Sequence, residues 1–423
     1  LANSFVTESR KNLAYKGYMP WLVCLSAGLF FLYEFFQLNL FDVINGALRA
    51  EFQLDAWQVS WMSSTYLWAD ILFLLPAGMI LDRYSTRRVI LLAMGLCVFG
   101  TFGFAKTSSY AWACFFHALT GIGQAFCFLS CVILVARWFP PRRQALVIGC
   151  LVTMAFLGGM MAHTPLAYLN EHYGWRYALF IDGVLGAVIF IWIAFFVRDK
   201  PHALSQGLEQ QNTAGPKFLD ALCNRQNFLL GLYTCCLNLP IMVLCALWGA
   251  SYLQVVHHVS SLSASNIVSC LFIGSMIGCP LAGWLSDRAG RRRPWMIIGA
   301  VLSVFALLPL LTGHVFSELV LSALFFILGL VTSTQVISYP FIAESNKPSN
   351  IGAATAIASV IIMGGGGVAQ VVFGCLLKYH AAVGAGTYAL ADFQFALLMF
   401  PIAVMIALLA VVLTRETYCE SRD

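Results

Sequence analysis

The sequence predicts an all-α membrane protein of twelve transmembrane helices in two pseudo-symmetric six-helix bundles. Three observations predict it. Of 423 residues, 60% are hydrophobic and only 10% are charged, whereas a soluble domain carries about 25% charged residues. Apolar stretches long enough to cross a bilayer, about 20 residues each, recur along the whole chain. A charged motif also occurs twice, 205 residues apart, at matching places in the two halves. With a mean hydropathy of +0.81, this composition excludes a water-soluble enzyme or a nucleic-acid-binding domain. It leaves no room for a large soluble domain.

The apolar windows place helices near residues 19–45, 57–81, 88–105, 109–136, 144–168, 175–197, 227–254, 265–285, 294–312, 317–338, 350–376 and 391–414. Their apolar runs are continuous, whereas barrel strands alternate every second residue. The polar stretch before Tyr18, followed by a long apolar run, does not read as a cleavable signal peptide. Between the sixth and seventh windows the chain turns polar, with Gly207, Gln210-Gln211-Asn212 and Gly215-Pro216. Residues 198–226 therefore read as a linker between a first bundle (1–197) and a second (227–423). The fourteen cysteines are scattered through apolar runs, without the spacing of a disulfide framework or a zinc site.

Lysine and arginine set the orientation. With both termini in the cytoplasm, only Arg49, Lys106, Arg176 and Lys378 of the 24 Lys and Arg residues fall outside. This is the positive-inside distribution. It predicts a multi-pass membrane protein with both termini in the cytoplasm, and it accounts for the basic loops without a nucleic-acid partner.

The repeated motif follows the second and eighth windows. Gly78-Met-Ile-Leu-Asp82-Arg83-Tyr-Ser-Thr-Arg87-Arg88 matches Gly283-Trp-Leu-Ser-Asp287-Arg288-Ala-Gly-Arg291-Arg292-Arg293 at five of eleven positions. Duplicated halves are the mark of transporters that bind cargo near the midplane. Gly78 and Gly283 would let a neighbouring helix approach closely. Asp82 and Asp287, at helix ends, would be paired by basic neighbours or by a facing helix N-terminus. Arg83, Arg87, Arg288 and Arg292 would complete a clamp that breaks and reforms, as a gate must.

This motif resembles the loop 2–3 signature of the major facilitator superfamily. Arg137-Trp138-Phe139-Pro140-Pro141-Arg142-Arg143, Gly174-Trp175-Arg176 and Arg198-Asp199-Lys200-Pro201 resemble that superfamily's loop 4–5 and the two ends of its sixth helix. The resemblance covers essentially the whole chain and implies transport by alternating access. More narrowly, Phe31 to Asn39 and the region from Tyr339-Pro340 to Gln370 are similar to the phagosomal transporter family of intracellular bacterial pathogens. That similarity implies import of amino acids or nucleosides.

An ionisable residue deep in a span costs a few kcal/mol or more, so each is a functional candidate. Glu34 lies mid-way along the first window. Glu34, Gln37 and Phe41 share one helix face, with Tyr33 and Asn39 nearby. A carboxyl there can carry a proton or pair with a substrate ammonium. Asp70 shares a face with Tyr66, Phe73 and Ala77. His117 precedes Gly121-Ile-Gly123 where many superfamily members place an Arg, and histidine can exchange a proton near neutral pH. Glu34, Asp70 and His117 are the candidate proton-coupling residues. His163, Asp182 and Asp42 are further ionisable groups whose alternative role is simple helix-to-helix bonding.

Tyr33, Glu34, Gln37, Asn238, Trp248, Gln335 and Gln370 are the candidate cargo contacts. Polar side chains in lipid-embedded helices also bond to other helices, and that reading stands beside the functional one for each. No Lys or Arg lies near the middle of a window, so the pocket should favour zwitterions, cations or neutral solutes over polyanions. Gly364 to Gly367 has no following Lys-Ser/Thr, which excludes a P-loop. His257-His258 alone does not make a metal site. No catalytic constellation, cofactor motif or ATP-binding motif appears.

The resulting expectation is a monomeric, proton-coupled importer of a small polar metabolite, an amino acid by preference. One rival is a proton antiporter exporting a drug-like or siderophore-like molecule, but Met154-Ala155 stands where the drug-exporter signature has Gly-Pro. The other rival is a non-transporting membrane sensor on a transporter fold.

Overall fold

The structure is a computed structural model that describes residues 18–139, 141–199, 224–346, 351–380 and 388–419. Most of the predicted linker, 198–226, lies outside the described residues. Eleven described helical stretches are long and apolar enough to cross a membrane. The second predicted span, α2 (Ala56–Arg83), forms as a 28-residue helix but is not among the eleven. Its buried positions include Ser60, Ser63, Ser64 and Asp70.

The first four spans are single helices: α1 (Met19–Phe52), α2, α3 (Thr86–Lys106) and α4 (Tyr110–Trp138). The Asp55 side chain starts α2 by accepting from the Gln58 amide at 2.8 Å, and Gln58 returns a bond to the Asp55 amide at 3.0 Å. This is a capping box. Ser85 accepts from the Arg88 amide to start α3. The sixth, eighth, ninth and eleventh spans are α7 (Trp175–Phe196), α10 (Ser261–Ala289), α11 (Arg293–Leu311) and α14 (Ile351–His380). Gly290, at φ 62°, ends α10 in the left-handed conformation that glycine adopts freely.

Four windows expected as single helices are broken, and each break lies beside a proline. The fifth is α5 (Pro141–Met161) followed by α6 (Thr164–Tyr173), with Pro165 at the start of the second piece. The seventh is α8 (Arg225–Leu239), a π-helical segment from Pro240 to Trp248, and α9 (Gly249–His257). The tenth is α12 (Glu318–Thr332), a 3₁₀ turn over Ser333–Ile337, and α13 (Ser338–Glu344), ahead of and across Pro340. The last is α15 (Leu390–Leu397) and α16 (Met399–Val412), which holds Pro401. Proline removes one ladder donor and crowds the carbonyl four residues back, so the helix loosens ahead of it in the fifth, tenth and last spans, whereas in the seventh the π segment begins at the proline itself.

Helix pairing repeats between the two sets of helices. α1 packs on α5 as α8 packs on α14. α2 packs on α4 as α10 packs on α12, and α3 on α7 as α11 on α16. Glycines bring these pairs into backbone contact. A Cβ on Gly121 of α4 would strike the Tyr66 carbonyl of α2, and one on Gly329 of α12 would strike the Leu271 carbonyl of α10. Gly158 of α5 meets the Leu32 backbone in the same way, and Gly365 of α14 makes room for the Cys235 side chain. Close backbone approach is how membrane helices gain packing where the hydrophobic effect gives none.

The close approach expected at Gly78 and Gly283 is not made. The nearest atom to a Cβ on Gly78 would be Leu129 Cδ2 at 3.8 Å, and a Cβ on Gly283 would meet nothing within 4 Å. Both lie near the turns between α2 and α3 and between α10 and α11.

Gly329→Ala should therefore destabilise the protein, by about 1–3 kcal/mol for overpacking. Gly283→Ala should be neutral or stabilising by up to about 1 kcal/mol, because alanine is the better helix former. Paired thermal melts in detergent read this difference, and equal behaviour of the two variants would refute the packing assignment.

Candidate functional site

Three arrangements of polar groups are built on this frame: an acidic cluster inside the first set of helices, a clasp at one end, and ion networks at the other.

The acidic cluster centres on Glu34, which is 0% exposed. Its Oε2 accepts from the Tyr66 hydroxyl at 2.9 Å, and the same hydroxyl lies 3.0 Å from the Glu34 carbonyl and 3.3 Å from Gln124 Oε1. Among the described residues Oε1 has no hydrogen-bond partner, and it points at Gly123, where a Cβ would collide with it. The Gly121-Ile-Gly123 signal thus has two uses: the first glycine admits the α2 backbone and the second admits the carboxyl. One turn on, Gln37 donates to Asp182 Oδ2 of α7 at 2.6 Å, leaving Asp182 Oδ1 unpartnered. Tyr33 donates to the Asp182 carbonyl at 3.3 Å and meets Thr101 at 3.4 Å. Asp70 is buried on α2. None of these three carboxyls makes an ion pair among the described residues.

The other candidates separate. His117 does not join the carboxyls. It is packed among the rings of Phe41 at 4.4 Å, Tyr66 at 5.4 Å and Phe104 at 5.9 Å, with Thr120 beside Nδ1. Gln335 donates to Asn238 at 3.3 Å, and Thr234 bonds the Gln335 carbonyl. Gln370 is fully buried and donates to the Met242 carbonyl at 2.7 Å, inside the π-helical segment. Trp248 is fully buried too and donates to Ser60 at 3.1 Å, so here it is part of a closure.

That closure is the clasp. The hydrogen bonds and ion pairs that join the two sets gather at the end away from the basic turns. Asp42 accepts from the Ala250 amide at 2.8 Å, Asn45 donates to the Leu247 carbonyl at 2.8 Å, and the Tyr388 hydroxyl accepts from the Ala56 amide at 2.7 Å. Thr164 donates to Asn266, Lys378 pairs with Asp55 at 2.8 Å, and the Arg49 guanidinium covers the Tyr388 ring at 4.5 Å. Partial burial opposes ionisation of Asp55, but the bonds from Lys378 and the Gln58 amide outweigh it and hold the carboxyl below its usual range. Sequence reasoning saw Asp42 only as an ionisable residue and missed Asn45 and Ser60. Their roles depend on where the seventh span breaks.

At the basic end the gating candidates bond only within their own set. Arg292 is buried, 2.5 Å from Asp287, 2.7 Å from Glu344 and 3.0 Å from Ser286. Glu416 caps α11 by accepting from the Arg292 and Arg293 amides, each at 2.9 Å. In the first set Asp199 plays the central part. It accepts from Ser85 at 2.5 Å and from the Arg87 amide at 2.9 Å, and faces Arg137 at 3.8 Å. Arg83 and Arg288 are exposed, the latter beside the Trp284 ring. The side chain of Asp82 lies outside the described set. Glu344 and Glu416 were not singled out from sequence, and Asp199 was noted only within the Arg198-Asp199-Lys200-Pro201 stretch. A pocket of about 510 Å³ near Arg291 and Tyr418 lies at this end, lined by neither the acidic cluster nor the clasp.

The repeated pairing, the glycine contacts and the duplicated basic turns describe one architecture. The family description of the Major Facilitator Superfamily matches residues 25–370 and, in a second register, 246–418. The chain belongs to the Major Facilitator Superfamily. It is similar to the membrane sensor protein UhpC of Salmonella typhimurium, 27% identical over 302 residues that cover 66% of this chain and 67% of that one. It also resembles the "Probable galactarate/D-glucarate transporter GudP" of Escherichia coli, at 23% identity over 62% of this chain and 66% of the relative. The "Probable hexose phosphate transport protein" of Chlamydia pneumoniae is 22% identical over 69% and 71% of the two chains. Among solved structures, a D-xylose–proton symporter superposes with a TM-score of 0.75 at 15% identity, covering 96% of this chain and all of that one. A bacterial homolog of the human lysosomal transporter Spinster, inward-facing and unoccupied, gives 0.74 at 16% identity, covering 94% and 98%. These likenesses establish the fold. The chain is thus a multi-pass membrane protein of transporter architecture, in a superfamily whose members are not enzymes.

Arg292→Ala should cost roughly 3 kcal/mol, because Glu344, with a side chain only 12% exposed, is left without its cation. Asp287→Ala, removing a side chain that is 68% exposed, should cost less than about 1 kcal/mol. Detergent melts of both variants check the order, and a larger loss for Asp287→Ala would reverse the assignment.

Proposed function

We propose that the chain is a proton-coupled importer of a small polar metabolite, an amino acid by preference, working by alternating access of two six-helix halves. The observation that carries the reading is Glu34: a fully buried carboxyl with no cation partner, one oxygen unpartnered, and a hydroxyl fixing the other. Such a group is costly in a membrane, and the cost is recovered where it binds and releases a proton. Asp182 and Asp70 offer the proton further stations. On this reading the clasp is the outer gate and the basic end is the open cytoplasmic mouth. The Gly78–Asp82 and Gly283–Asp287 motifs then close against the opposite half in the other state. Gln335 and Asn238, on the second half, are the polar contacts left for cargo.

Two of the relatives are named for anionic cargo. The spans of this chain carry buried carboxyls and no mid-span Lys or Arg, and this favours zwitterions, cations or neutral solutes. The likeness to a membrane sensor supports a second reading, in which the same site binds ligand without moving it. Flux separates the two.

Proteoliposomes given an inward proton gradient should accumulate a ligand first found by thermal shift, since a ligand that binds one folded state raises apparent stability. Glu34→Gln should lower accumulation by about 5- to 150-fold, the range of a typical coupling free energy, while counterflow exchange continues. Full accumulation by this variant would remove Glu34 from the proton path. Binding without flux in the wild type would select the sensor reading.

A further inference from the structure

The clasp holds a pair of titratable groups that the proposed proton path does not use. Asp42 of α1 and His163, just ahead of α6, have side chains that are both 0% exposed. His163 Nδ1 stands 3.5 Å from Asp42 Oδ2, and neither ring nitrogen has a hydrogen-bond partner. Phe272 of α10 lies against the ring with centroids 5.7 Å apart. The same Asp42 oxygen is 3.1 Å from the Ala250 amide, while Oδ1 is 2.8 Å from it. The carboxylate is therefore shared between the imidazole and the first amides of α9. The remaining titratable group that faces it is the Cys245 thiol of the π-helical segment. No Lys or Arg among the described residues pairs with it.

We propose that Asp42 and His163 form a proton-binding latch that holds the clasp shut. Without a proton the pair carries one negative charge, set against the positive end of α9. One proton makes the pair neutral, whether it sits on the carboxylate or on the imidazole. The attraction for the α9 amides falls in either case. Asn45 and Ser60 anchor the adjoining Leu247 carbonyl and Trp248 indole, so loosening α9 loosens the rest of the clasp. The latch rests on the proposed proton coupling for its place in a transport cycle; its geometry and the exchange measurement that tests it do not involve cargo.

Hydrogen exchange read by mass spectrometry on the purified full chain tests the latch, with rates corrected for the intrinsic effect of pH. The segment 247–257 is followed at about pH 8 and about pH 5, on either side of histidine titration. In the wild type it should be protected at the higher pH and exchange about two- to thirtyfold faster at the lower. Asp42→Asn should exchange rapidly at both. His163→Gln should keep the protection seen at the higher pH and need more acid to lose it. Protection indifferent to pH in the wild type, or Asp42→Asn as protected as wild type, overturns the latch. Should Asp42→Asn fail to fold, an unchanged pH midpoint in His163→Gln overturns it equally. Acid loosening combined with uptake indifferent to a proton gradient keeps the latch and discards the coupling; the converse discards the latch alone.

Discussion

The bilayer interior offers no water, so each backbone amide and carbonyl must find its bond within the protein. The seventh span strains this rule. Between Pro240 and Trp248 it leaves the α-helical ladder for nine residues. Other helices complete its bonding: Gln370 bonds the Met242 carbonyl, Asn45 the Leu247 carbonyl and Asp42 the Ala250 amide. Two of these three partners come from α1. Two of the bonds that make the irregular backbone tolerable are thus also bonds that join the two sets of helices. Separating the sets there requires water or a new partner at the same groups, which favours two discrete arrangements over a continuum.

Helix α1 links this requirement to the acidic cluster. Glu34 and Asp42 lie on one unbroken helix, eight residues and so about 12 Å apart along its axis. The same helix packs against α5 with its backbone at Gly158. A change in the orientation of α1 is felt at the buried carboxyls and at the clasp together. The ion networks of Arg292 and Asp199 hold their own helices in place at the opposite end and leave Asp287 largely exposed.

Much of this architecture was legible in the residues. Continuous apolar runs located the spans, and the duplicated Gly-Asp-Arg turns announced the repeat. The breaks were not placed, because a proline says that a helix will loosen but not whether it becomes a π segment, a 3₁₀ turn or two helices. At the site, Glu34 and its neighbour Gln37 were legible from burial cost and helical spacing. Their partners Tyr66, Gln124 and Asp182 lie on three other helices, and spacing along one chain does not encode contacts between them. His117 shows the limit from the other side: its position resembled a charged motif, whereas its surroundings are aromatic rings. The glycines of the two turns signalled close packing that this arrangement of the halves does not make.

The pairing of Lys378 with Asp55 is set apart from the rest of the clasp. Its ammonium side chain is 56% exposed and its carboxylate 35%, so it meets the surrounding electrolyte while Asp42 does not. At physiological ionic strength the screening length is about 8 Å, and at 1 M it is about 3 Å. Salinity on that side of the membrane therefore weakens one fastening and spares the others. If the clasp is the outer gate proposed above, a cell moving between dilute and salty surroundings would shift how readily the protein opens to the outside, with no change in cargo or in protons.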